Sequence, residues 1–217
     1  MKIKKIDKII KLIRKGFKGL KKPTVRRTSE KQDPFKTLIA CLLSLRTKDE
    51  NTAKASSSLF KVADTPGKIL RLPTKKLEKL IYSSGFYKNK AKTIRHVSKV
   101  ILEEYDGKVP RTEEELLNIK GVGRKTCNIV RLFAYKELTL PIDVNCHRIV
   151  NRLGWVKTKT ADETEFALKK VLPKKYWPEF NTLFILFGKN ICVPISPFCS
   201  KCPIKKFCKR IGVTKSR

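Results

Sequence analysis

Start signals for helices recur along this chain, and the alternating pattern of a strand does not. Asp33-Pro34 reads as an N-cap with a first-turn proline, opening PFKTLIACLLSLR. Thr47 with Glu50, Thr112 with Glu115, and Thr160 with Glu163 each fit a capping box. Thr65-Pro66 and Thr74 mark further starts, while Gly85, Gly107 and Gly154 mark stops. Apolar residues at helical spacing fill 87–105, 124–136, 144–153, 161–171 and 178–190. The pattern predicts an all-α protein of roughly ten short helices with tight connections.

The first segment, MKIKKIDKIIKLIRKGFKGL, sets Ile3, Ile6, Ile10, Ile13, Phe17 and Leu20 at three- and four-residue steps, one stripe with lysines opposite. These residues are dispersed, unlike the single apolar run of a signal peptide. Such a helix can lie on a membrane or resemble a transit peptide. Packing into a core is expected instead, because later segments lack partners for their own apolar faces. No apolar run reaches the roughly 18 residues needed to span a bilayer.

Charge narrows the partner. The 217 residues include 51 Lys and Arg against 19 Asp and Glu, a net +32. Such self-repulsion calls for a polyanion, of which nucleic acid is the usual one. Residues 1–33 hold 13 basic and 3 acidic side chains; after Glu179 there is no acidic residue, while 189–217 carry 8 basic ones. Both ends are candidates for phosphate contact. At 41% hydrophobic residues the chain is globular rather than disordered.

Cys41, Cys127 and Cys146 occupy apolar or small-residue positions of helical segments and read as small buried hydrophobes. The other four, Cys192, Cys199, Cys202 and Cys208, follow the spacing C-x6-C-x2-C-x5-C. Four thiols so close together call for something that binds them. Spacing alone leaves tetrahedral zinc and a 4Fe–4S cluster both open.

LLNIKGVGRKTCNIV matches a helix–hairpin–helix pattern, with Gly121-Val122-Gly123 in the turn. Its glycines permit positive φ and close backbone approach. The leading N–H groups and positive dipole end of the second helix can meet a phosphate. Lys125 lies on that helix's first turn, where Arg124, Lys120 and the dipole disfavour its protonated form, as a nucleophilic amine requires. A plain turn with one solvated cation is the alternative. Asp143, eighteen residues on in LPIDVNCHRIVNRLGW, is either a simple N-cap or a carboxylate available to stabilise positive charge.

Hairpin, lysine, aspartate and cysteine loop, in this order and at these separations, resemble the endonuclease III family, the iron–sulphur branch of the helix–hairpin–helix DNA glycosylases. The likeness runs from PFKTLIACLLS through GFYKNKA and GKVP to the last cysteine. It implies two helical domains flanking a DNA-binding cleft. A six-helix barrel over 27–137 would hold the hairpin, and 1–26 with 138–217 would form a cluster domain. The resemblance implies a 4Fe–4S cluster on Cys192, Cys199, Cys202 and Cys208. The implied partner is double-stranded DNA containing damaged bases or abasic sites, bound by a monomer, with no membrane involved and a cytoplasmic location. Lys125 would attack C1′ of a flipped-out nucleotide, and Asp143 would stabilise the cationic sugar. Gly121, Val122, Gly123 and Arg124 would grip a phosphate, and Lys201, Lys205 and Lys206 would touch the backbone.

Two departures bear on substrate. Where the family has SAQAT this chain has SLRTK, which puts Arg46 in place of the glutamine that fills the gap left by the flipped base. Asp-Thr-His becomes Asp143-Val144-Asn145, and Asn145 is similar to the mismatch-specific relatives. A monofunctional mismatch glycosylase and a non-enzymatic DNA-binding or redox-sensing protein are the competing readings.

Overall fold

The structure, a computed structural model, describes residues 3–217, with Ile3 described by its backbone alone. The regular elements are helical throughout the described residues. In chain order they are α1 (Ile3–Gly16), α2 (Thr24–Ser29), α3 (Pro34–Ser44), α4 (Asp49–Val62), α5 (Pro66–Arg71) and α6 (Thr74–Leu80). Then come α7 (Tyr87–Glu104), α8 (Glu113–Asn118), α9 (Arg124–Ile129), α10 (Val144–Leu153), α11 (Ala161–Val171) and α12 (Trp177–Asn190). The chain forms two compact units, residues 23–139 and residues 1–22 with 140–217.

In the first of these units α3 is the axis. Phe35 and every residue from Thr37 to Leu43 are buried, so this helix is apolar all round and packs against α2, α4, α7 and α9. Asp33 caps it by accepting the Lys36 N–H at 2.9 Å, with Pro34 in the first turn. Residues 23–26 belong with this unit for a physical reason. The Thr24 N–H and hydroxyl reach the Asp49 carboxylate at 2.8 and 3.0 Å, and Arg26 lies over the Phe133 ring. The α9 helix runs on into a π-helical turn, Val130–Ala134.

In the other unit α1 lays Ile6, Ile9, Ile10 and Ile13 into a core shared with Ile149, Val150, Phe180 and Phe184. Phe17 meets Phe187 edge-on at 6.1 Å. Leu20, expected on the same stripe, is exposed because the helix has already ended at Gly16. The Ile3 side chain lies outside the described residues.

Capping expectations divide. The Thr112–Glu115 box forms in full, and Thr160 accepts the Glu163 N–H at 3.1 Å. Glu163 then turns to the N–H of Lys159 instead of closing the box. Thr47 caps nothing: α4 starts after Lys48, and the Thr47 hydroxyl is taken by Gly85 and Lys90. Thr65 caps α5 and α6 starts at Thr74, both where the sequence puts a start, with Pro73 as the α6 N-cap.

Phe180 is fully buried and stacked on Phe184 at 4.0 Å. Phe180→Ala is expected to cost about 3–5 kcal/mol of unfolding free energy, read by chemical denaturation.

Candidate functional site

The hairpin turn is forced by close approach. Gly121 has φ +102°, and a Cβ there would stand 2.6 Å from Thr93 Cγ2 on α7. Val122 donates its N–H to the Ile119 carbonyl at 2.9 Å and buries its side chain, pinning the turn to the core. Gly123 is the N-cap of α9, and both glycines face solvent. The first-turn N–H groups of α9 therefore begin at an exposed turn.

Lys125 is half-buried on that first turn. Burial pushes the thiol of Cys41 on α3 up to about 12, and the Lys125 ammonium acts against that rise, which places the two side chains in one electrostatic neighbourhood. Arg124 is committed to the scaffold. It donates to Glu113 Oε1 at 2.7 Å, and its side chain is only 20% exposed. Arg131 bridges Glu113 and Glu137 at 2.7 and 2.8 Å, and Arg111 reaches Glu137 at 2.6 Å. Burial raises the Glu113 carboxyl, but Arg124 and Arg131 outweigh it and hold the group below the usual carboxylate range.

Arg46 is exposed, with φ +50°, and lies 5.9 Å from the ring of Phe86, itself 61% exposed with φ +59°. Between the backbones of these two residues sits one that sequence reasoning missed. Lys90 is only 8% exposed, and its Nζ donates to Leu43 O, Leu45 O, Thr47 Oγ1 and Ser84 Oγ at 2.6–2.8 Å. Burial pushes this ammonium down to about 8. The signal was available: Lys90, Ile94, Val97 and Ile101 share one helical stripe, so a lysine stood where the apolar face required burial.

Asp143 belongs to the other unit. It is 8% exposed and caps α10. Oδ1 accepts from the N–H groups of Asn145 and Cys146 at 3.0 and 2.8 Å, and Oδ2 accepts from Asn145 Nδ2 at 2.8 Å. The Asn145 carbonyl oxygen in turn accepts from Arg148 at 2.9 Å, and Arg148 also reaches the Cys192 and Gly188 carbonyls at 2.8 and 3.2 Å. Gly188 must be bare, since a Cβ there would meet Asn145 Oδ1 at 2.7 Å. Asn145 and Arg148, at i and i+3, are thus a second tier behind the carboxylate.

The four expected ligand cysteines are half-buried and line one cavity with Ile149, Leu153, Phe187 and Ile204. Arg152 donates to Cys192 Sγ at 3.4 Å and to the Val193 and Pro194 carbonyls at 2.8 and 2.6 Å. Burial pushes the Cys202 thiol up to about 11 and raises that of Cys208 as well. Among the described residues, no group of three or more Cys, His, Asp or Glu side chains is gathered in a way that could hold a metal ion. The four thiols share a cavity and lie within electrostatic reach of one another. Lys201, Lys205 and Lys206 are exposed on the same loop.

Comparison with known proteins adds to this geometry. Residues 39–174 match the family described as HhH-GPD superfamily base excision DNA repair protein. Endonuclease III of Thermotoga maritima is 47% identical over 84% of this chain and 86% of its own length. Endonuclease III-like protein 1 of mouse is 36% identical over 86% of the chain, which spans 61% of that longer protein. Among solved structures, a trapped endonuclease III–DNA covalent intermediate superposes with a TM-score of 0.83 at 30% identity, covering 97% of both chains. A thermostable thymine-DNA glycosylase reaches the same TM-score at 25% identity, covering 95% of this chain and 96% of its own.

Gly121→Ala brings both a clash and a positive-φ penalty, so a loss of about 1–3 kcal/mol is expected. Adding Thr93→Ser, which deletes the clashing methyl, should restore part of the loss and leave the backbone share. Denaturation of the single and double variants reads both.

Proposed function

The chain belongs to the HhH-GPD superfamily of base excision DNA repair proteins, and on that footing we propose that it is a DNA glycosylase with abasic-site lyase activity, acting on oxidised pyrimidines in duplex DNA. One observation carries the reading. A glycine turn pinned to the core delivers Lys125, half-buried, on the first turn of a helix. That is where a strand held by main-chain N–H groups would meet an amine.

In this reading the damaged nucleotide leaves the stack, most cheaply where pairing is already weak. The Lys125 Nζ, as free amine, attacks C1′ of the deoxyribose, a C–N bond forms and the base departs with the glycosidic electron pair. Ring opening gives a Schiff base that acidifies the C2′ proton. Loss of that proton expels the 3′ phosphate, and water then releases the lysine. Asp143 stabilises positive charge on the sugar and takes up protons as the amine changes state. Its three hydrogen-bond donors hold the carboxylate in one orientation, as this role needs.

Gly121, Val122 and Gly123 present backbone to a phosphate. Arg124, already paired with Glu113, serves by bracing the turn. Lys201, Lys205 and Lys206 supply further contacts, and a net charge of +32 favours the polyanion at long range. Arg46 occupies the place vacated by the flipped base.

Cys192, Cys199, Cys202 and Cys208 fit a 4Fe–4S cluster. Four thiols that line one cavity and lie within electrostatic reach of one another supply the all-cysteine donor set such a cluster takes. Arg152 beside Cys192 offsets the negative charge of deprotonated ligands. When bound, the cluster supplies iron–thiolate links that brace this loop, and bond cleavage is left to the lysine.

Asn145, the residue in which this chain is similar to mismatch-specific relatives, favours a second reading, a mismatch-directed glycosylase, in line with the superposition on a thymine-DNA glycosylase. Borohydride reduction on abasic-site DNA separates the two: the proposal expects a covalent adduct that Lys125→Gln abolishes. An adduct that survives the substitution, or none from the wild type, sinks it. Asp143→Asn is expected to lower turnover on the order of a hundredfold or more. Iron analysis and visible absorption of the purified protein check the cluster, and a colourless, zinc-loaded protein overturns that part.

A further inference from the structure

We propose that Lys90 is a positioning residue for Arg46 and Phe86, a buried ammonium that locks both exposed side chains into the geometry in which they meet duplex DNA. The inference rests on the reading above, that this chain acts on a duplex.

Arg46 and Phe86 both have left-handed backbones, at φ +50° and +59°. For residues with a Cβ this conformation costs roughly 1–2 kcal/mol and persists where surrounding structure over-determines it. Here that structure is one amine. Leu45 O and Thr47 Oγ1, the acceptors on either side of Arg46, lie 2.6 and 2.8 Å from Lys90 Nζ. Ser84 Oγ, two residues before Phe86, lies at 2.8 Å, and Leu43 O at 2.7 Å. The two segments also approach directly: Gly85 donates its N–H to Thr47 Oγ1 at 3.1 Å, and a Cβ on Gly85 would stand 3.1 Å from Arg46 O.

An ammonium carries three N–H groups and here meets four oxygens, so at least one proton is shared. None of the four is a carboxylate. A buried cation balanced only by neutral oxygens is a poor way to fill a core, where an apolar side chain of similar length would do as well or better. What the charge adds is direction, since one point ties three stretches of chain together behind two strained, outward-facing residues. Without Lys90, Leu43 O and Leu45 O lose a strong donor, and Arg46 is free to relax out of its left-handed conformation.

The test uses purified full-length protein and two substrates, a duplex with an oxidised pyrimidine and a single strand with an abasic site, where nothing has to leave a stack. Lys90→Met is expected to lose on the order of tenfold on the duplex and to stay within about twofold of wild type on the single strand. Lys90→Met added to Arg46→Ala with Phe86→Ala should cut the duplex no more slowly than Arg46→Ala with Phe86→Ala, because Lys90 acts through those two side chains. Equal losses on both substrates, or a Lys90→Met loss that multiplies onto that of the other two substitutions, would overturn the proposal. If Lys90→Met does not fold, Ser84→Ala removes one acceptor and carries the same comparison, with a smaller duplex-selective loss expected. A wild type that cuts neither substrate sinks the functional reading and this inference with it; a wild type that cuts both, with Lys90→Met indistinguishable from it, sinks this inference alone.

Discussion

The close approach of two loops to one face of α7 is the constraint on which the 23–139 unit depends. Lys90 grips the Leu45–Thr47 segment from the first turn of that helix, and Thr93, three residues on, leaves room for nothing larger than hydrogen at Gly121. Ile94, Val97 and Ile101 continue the face into the core against α3. The hairpin and the Arg46 loop are therefore registered to each other through one rigid element, at an axial offset of about 1.5 Å per residue. Either loop alone would be mobile surface chain. Docked on successive turns of α7, they hold Lys125 and Arg46 on one scaffold.

A chain of charge +32 has few anions to spend, and their placement is informative. Asp33 and Asp143 cap helices, and Asp49 anchors the entry to α2. Glu113 and Glu137 each serve two arginines, which binds α8, α9 and the π-helical turn into one network beneath the hairpin. Exposed pairs of this kind contribute little each, but a shared, partly buried network restrains geometry. Carboxylates thus work locally inside the fold. The lysines left without them form the outward field.

Helices and their periods were legible in the sequence because they rest on local rules: α7, α10 and α11 run almost where the apolar spacing puts them. The hairpin was legible too, since its glycines answer to φ and to contact distance. Thr47 shows where local reading stops. Its spacing to Glu50 fits a capping box, yet its hydroxyl is claimed by Lys90, 43 residues away, and by Gly85. Arg124 shows the same: beside the hairpin it looks like a phosphate ligand, and only the fold brings Glu113 to it. Side chains that compete for a partner across the chain are settled by tertiary distance, which spacing does not encode.

Asp143 carries that point into the chemistry. By sequence it was either a cap or a catalytic carboxylate, as though one role excluded the other. Here the cap supplies the conditions for the catalytic role proposed above. Two backbone N–H groups of α10 and the Asn145 amide occupy the carboxylate from behind and fix its rotamer. Asn145 is itself fixed by Arg148 and by the bare Gly188, and Arg148 is fixed by the Cys192 carbonyl. A carboxylate with the proposed task of steadying a transient cation cannot be left to sample rotamers, and the cost of ordering it has been met in folding rather than in the reaction. Cys192, the first cysteine of the loop, lies at the far end of that same hydrogen-bonded run, so the order of the loop and the aim of the carboxylate are mechanically one problem.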